Sequence, residues 1–174
     1  MESESARMSS AAQAKFRIDA PNSRRRAVKV IALDAPSERV VKQLARDSSQ
    51  GATFLTASAF AGAASDSAPE AERFSLGGWL NDLAGRTKNL VEEIAAADLV
   101  VMVASAGENA AAAAIIGDAC NLRHVMTTAL VLGTAASSDE ALSKMLAQLR
   151  PHAMMLVISS ADGYIKDMLT ALRA

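Results

Sequence analysis

The chain reads as short apolar runs separated by longer stretches in which apolar residues recur every three or four positions. Residues 28–33 (VKVIAL), 53–57 (TFLTA), 98–104 (DLVVMVA), 125–132 (VMTTALVL) and 153–158 (AMMLVI) are runs of five to eight residues, all but 53–57 rich in Val, Ile, Leu and Met. Runs of that length without alternation predict strands buried on both faces, as in a parallel sheet. Between them, Val40, Val41, Leu44 and Ala45 mark one helix, with Pro36 in its first turn, where the missing N–H costs nothing. Leu90, Val91 and Ile94 mark a second, over about 86–96. A third starts at Glu108 and Asn109 and runs through five alanines into Ile115 and Ile116. A fourth is capped by Ser138, Asp139 and Glu140, carries Leu142, Met145, Leu146 and Leu149, and stops at Pro151. The last carries Ile165, Met168, Leu169 and Leu172.

Strands alternating with helices predict an α/β protein. The expected form is a three-layer, doubly wound, Rossmann-like sheet of five or six mainly parallel strands with helices on both faces. Order 2-1-3-4-5 is the simplest, and 3-2-1-4-5-6 results if residues 74–76 form a strand. Residues 1–26 read as a mobile tail and 27–174 as one domain. Residues 58–69 read as a long loop. The segment 74–83 (FSLGGWLNDL) holds a Gly-Gly turn with room for a short edge strand on one side.

Composition narrows the classes of function. A net charge of −1 gives no electrostatic basis for a polyanion partner, and an aromatic share of 3% gives no stacking platform for single strands, so nucleic acid is not expected. Arg24, Arg25 and Arg26 fall short of the basic runs that mark such partners. No apolar run is long enough to span a membrane, and the acidic, polar start lacks an apolar signal core; a cytoplasmic protein is expected. The single cysteine, Cys120, permits no intrachain disulfide or cysteine-based metal cluster and reads as a small core residue.

In a sheet of this kind ligands bind beyond the carboxyl ends of the strands. That edge should hold Asp34, Ser58, Ser105, Gly107, Glu108, Asn109, Thr134, Ser159 and Asp162. Of these, Asp34, Ser105, Gly107, Glu108, Asn109 and Thr134 are the candidate ligand-binding residues. The turn 105–109 is the focus, because a strand, a glycine turn and a helix start converge backbone N–H groups on one spot. Glu108 in that turn favours a neutral or singly charged ligand over a triphosphate. Asp34 is open to a second reading as a cap of the first helix. His124 and His152 precede strands and so belong at the opposite edge. No phosphate-loop motif, nucleophile–base pair or metal-ligand set is evident, so the balance leans against an enzyme without deciding it, and no metal is expected.

The segment from Gly85 to Leu156, with AGRTKNLVEEIAAADLVVMVASAGENAAAAAIIGDACNLRHVMTTALVLG and MMLVIS, resembles the nucleotide-binding half of the tubulin/FtsZ family; Val28 to Thr56 resembles that family's opening strand, helix and strand. The resemblance implies the fold and a nucleotide-related ligand. The family's glycine loops correspond here to Asp34-Ala35-Pro36-Ser37 and to the turn 104–110 (ASAGENA), whose side chains stand where phosphate needs bare backbone, which argues against GTP hydrolysis. The turn at Ser105, Gly107, Glu108 and Asn109 is also similar to the phosphate-holding turn of sugar-phosphate isomerase (SIS) domains. Three readings follow: a degenerate nucleotide- or small-ligand-binding domain; an interaction or structural module without ligand; and an SIS-like domain or enzyme acting on a sugar phosphate. The apolar content favours a homo-oligomer.

Overall fold

The computed structural model describes residues 26–47, 51–57, 79–133, 137–159 and 164–172. Along the chain these form β1 (Val28–Ala32), α1 (Ala35–Asp47), β2 (Thr53–Thr56), β3 (Trp79–Asp82), β4 (Thr87–Asn89), α2 (Leu90–Ala95), β5 (Leu99–Ser105), α3 (Ala112–Arg123), β6 (Met126–Leu132), α4 (Asp139–Leu149), a short 3-10 turn (Arg150–His152), β7 (Met155–Ser159) and α5 (Tyr164–Leu172). The expected tail up to residue 25, the loop 58–69, the optional strand 74–76, and Ser58, Thr134 and Asp162 all lie outside the described residues.

The strands form one mostly parallel sheet in the order β4-β3-β2-β1-β5-β6-β7. The five expected apolar runs are its parallel part. β5 lies between β1 and β6, with Val28 opposite Leu99 and Leu99 opposite Met126. The first six residues of β5 are buried, which explains why that run is apolar without alternation.

Among the described residues the sheet has seven strands, where five or six were expected. β3 and β4 form a hairpin that adds antiparallel to β2, with Leu55 opposite Asp82 and Leu80 opposite Lys88. Its turn is built by Asp82. Oδ1 accepts the N–H groups of Ala84 and Arg86, at 2.9 and 2.8 Å, and Oδ2 accepts Nε of Arg86 at 2.6 Å. The backbone N–H of Arg86 is foremost in holding this carboxyl below its ordinary pKa. Gly85 supplies the positive φ of 79°.

Two helix starts are also corrected. The helix expected over 86–96 is α2, which begins only at Leu90. Asn89 ends β4 and caps the helix through Oδ1, which accepts the N–H of Val91. The helix expected from Glu108 begins one turn later, at Ala112. Gly107 has φ 87°, outside the helical region, and Asn109 folds its own Oδ1 onto the N–H of Ala111.

Buried side chains gather in two clusters, and alternate residues of β1 and β5 go to different ones. Ile31, Leu33, Val100, Met102 and Ala104 pack with Leu90 and Ile94 of α2, Ile116 and Cys120 of α3, and Met145 and Leu149 of α4. Val28, Val30, Ala32, Val101 and Val103 pack with Val41 and Leu44 of α1 and Ile165 and Leu169 of α5. The period-two alternation of a strand makes this division. Lys29 is buried on β1, where Nζ donates to Glu93 Oε2 of α2 at 2.7 Å and to Thr53 Oγ1 of β2 at 3.2 Å. A buried lysine needs such partners.

Candidate functional site

The residues at the carboxyl ends of β1 and β5 are drawn together by Asp34. Its carboxylate is buried and fully engaged: Oδ1 accepts the N–H of Ser37 at 2.7 Å, and Oδ2 accepts the N–H of Ser105 at 2.8 Å. Ser37 answers in kind. Its Oγ donates to the Asp34 carbonyl and accepts the Asp34 N–H. Asp34 therefore does cap the first helix, and it also ties the start of α1 to the end of β5.

Beyond Ser105 the chain turns at Gly107, with Glu108 N donating to the Ser105 carbonyl at 3.1 Å. Gly107, Glu108 and Asn109 form one wall of a cleft of about 430 Å³; the other wall is α4, through Ala141, Lys144, Met145 and Gln148. That volume falls in the range of small-molecule sites, roughly 300–1,000 Å³. The two walls are joined where Gln148 Oε1 accepts the N–H of Ala110 at 3.2 Å. This bond leaves the Gln148 amide N–H₂ as its donor end.

Three of the six candidates, Gly107, Glu108 and Asn109, are thus brought together on the cleft. Asp34 and Ser105 stand behind it as support and are not part of its lining. The α4 residues were missed because Met145 was read only as part of an inward stripe. The signal was present: Ala141, Lys144, Met145 and Gln148 follow the 3-4-7 spacing of a single helix face.

The lining is chemically mixed. It carries one carboxylate (Glu108), one ammonium (Lys144), two amides (Asn109, Gln148) and an apolar floor of Ala141 and Met145. Such a cleft can orient a small polar molecule. Its described lining has no Ser, Thr, Cys, His or Tyr to act as nucleophile or proton shuttle. Among the described residues no group of three or more His, Cys, Asp or Glu could hold a metal ion, and no helix is long and apolar enough to cross a membrane.

The histidines lie where expected, ahead of β6 and β7. His124 closes α3 in the left-handed conformation, with φ 55°. His152 packs against α3 at Gly117, where an added Cβ would stand 2.5 Å from the His152 Cβ. Its Nδ1 is buried without a hydrogen-bond partner, and the nearest carboxylate, Asp118, is 3.8 Å away. Cys120 is buried in the core, and that burial pushes its thiol up to about 12. It is a packing residue, as its place in an apolar helix suggested.

No known family model matches this chain, and no curated protein matches it.

Proposed function

We propose that this chain is a doubly wound, Rossmann-like cytoplasmic domain that binds a small neutral or singly charged molecule in the cleft between the turn 107–109 and α4, without catalysing its reaction. The observation that carries this reading is the cleft itself. It opens at the carboxyl-edge turn of the central strand, where α/β sheets hold their ligands. The resemblance to the tubulin/FtsZ nucleotide-binding half agrees with that position, while Glu108 in the turn opposes a triphosphate and with it GTP hydrolysis. Lys144 and Glu108 offer opposite charges to a ligand's two ends, and the amides of Asn109 and Gln148 offer directional bonds.

The test is a thermal-shift screen with nucleosides, mononucleotides, sugar phosphates and amino acids. A true ligand at 100 times its dissociation constant adds about 2.7 kcal/mol, or roughly 5–10 °C for a chain of this size. Lys144→Ala should weaken binding of an anionic hit, and Glu108→Gln should strengthen it. Gly107→Val should abolish it, since the positive φ and the close turn exclude a branched side chain. A ligand indifferent to all three changes binds elsewhere and ends this reading. Phosphate release from GTP and magnesium above background would overturn the non-catalytic part.

A further inference from the structure

We propose that the cleft between the turn 107–109 and α4 receives a zwitterion, a free α-amino acid with an apolar side chain, an inference that rests on that cleft being the ligand site. Its two walls carry one charge each, of opposite sign: Glu108 in the turn and Lys144 on α4. The two do not pair with each other, and neither has an ion-pair partner among the described residues. Lys29, Lys42 and Arg86 all find carboxylates elsewhere in the fold.

The amides complete the inventory. Asn109 Oδ1 accepts the N–H of Ala111 at 2.9 Å, and Gln148 Oε1 accepts the N–H of Ala110 at 3.2 Å. A backbone N–H can only donate, so these bonds fix which end of each amide is oxygen and leave the N–H₂ ends for a ligand. The cleft therefore sets one ammonium and two amide donors against a single carboxylate. Lys144 and Gln148 are four residues apart on one helix face, which puts two of the three donor groups side by side on the α4 wall.

Each simpler ligand fits only part of this set. An anion meets the donors but is repelled by Glu108. A cation meets Glu108 but is repelled by Lys144. An uncharged molecule that displaces water leaves both charges without a counter-charge, which is costly. A zwitterion satisfies both walls: its carboxylate accepts from Lys144 and the amides, and its ammonium donates to Glu108. Hydrogen bonds with an ionised partner are the strong ones. An α-amino acid carries both charges on one carbon, so its side chain falls to the remaining side chains of the lining, Ala141 and Met145, which are apolar.

NMR titration of the full chain with L-leucine and L-methionine tests this, beside two cut-down analogues of leucine: isoamylamine, which lacks the carboxylate, and 4-methylpentanoate, which lacks the ammonium. The amino acids should shift the backbone amide signals of residues 107–110 and of α4, and each analogue should bind about tenfold more weakly than leucine. Lys144→Ala and Glu108→Gln, both at exposed positions, should keep their circular dichroism and each weaken leucine by about tenfold. The Glu108 result separates a zwitterion from an anion, whose binding the same change would strengthen. If neither amino acid binds at millimolar concentration, or if one analogue binds as tightly as leucine, the proposal is overturned. A nucleoside or sugar phosphate that shifts the same signals where the amino acids do not would end the zwitterion alone and keep the cleft as a ligand site. Leucine binding that ignores Lys144→Ala, Glu108→Gln and Gly107→Val lies elsewhere, and then the cleft reading falls with the proposal.

Discussion

Asp34 is the residue whose removal should tell most about how the carboxyl edge is held together. Its two carboxylate oxygens do separate work: one caps α1 through the Ser37 N–H, and the other holds the Ser105 N–H at the end of β5. Loss of an N-cap costs about 0.5–2 kcal/mol. Loss of a hydrogen bond to a charged acceptor costs about 1.5–3 kcal/mol, less here because Ser105 is only partly buried and water can reach it. Asp34→Ala should therefore destabilise by about 2–4 kcal/mol, a large part of the roughly 5–15 kcal/mol of a typical domain. Asp34→Ser separates the two roles. Serine is a good cap but is too short to reach across to Ser105, so it should recover the cap and lose only the second bond. Asp34→Asn keeps the shape but turns an N–H₂ toward one of two N–H donors, and should fall between wild type and alanine. Urea unfolding read as midpoint at constant slope gives these differences directly. An alanine variant within about 0.5 kcal/mol of wild type, the range of ordinary surface changes, would refute the claim that this carboxylate binds the two strand ends together.

Gly117→Ala should destabilise by about 1 kcal/mol, because crowding against His152 (~1–3 kcal/mol) exceeds the gain from alanine in a helix (~1 kcal/mol); in a His152→Gly background the same change should become stabilising in urea unfolding. Lys29→Met should cost about 1–3 kcal/mol by stranding Glu93, and the double replacement Lys29→Met/Glu93→Leu should cost less than either single change, as measured by a double-mutant cycle. Cys120 should resist alkylation in the native protein at pH 8 and react fully once unfolded. Its thiol pKa is raised from 9.0 to about 12, so the unfolded chain loses that proton first; stability should be unaffected by Cys120 below about pH 9 and fall as pH rises from there toward 12, a fall that Cys120→Ala removes.

The sequence by itself determined the parallel core of this molecule. β1, β5 and β6 were legible because a strand buried on both faces is mostly apolar, a local property that survives any arrangement of neighbours, and β2 and β7, which are only partly buried, were legible as short apolar or β-branched runs between helices. The turn at Gly107 was legible for the same reason: a glycine between an apolar run and an alanine-rich helix marks a break wherever the helix goes. β3 and β4 were not legible as the hairpin they form. Four and three residues, mostly polar, show no periodicity, and Thr87–Asn89 becomes a strand only because the Asp82 turn lays it against β3. The delayed start of α3 was hidden in like manner, since the Asn109 side chain and the Gln148 side chain, 38 residues away from Ala110, take N–H groups that a helix begun at Glu108 would have used differently. The other wall of the cleft was decided by tertiary structure alone. Ala141, Lys144 and Gln148 share a helix face in any fold. That this face meets Gly107 and Asn109 depends on where the crossover through α4 sets its helix, and no spacing within the helix encodes that contact.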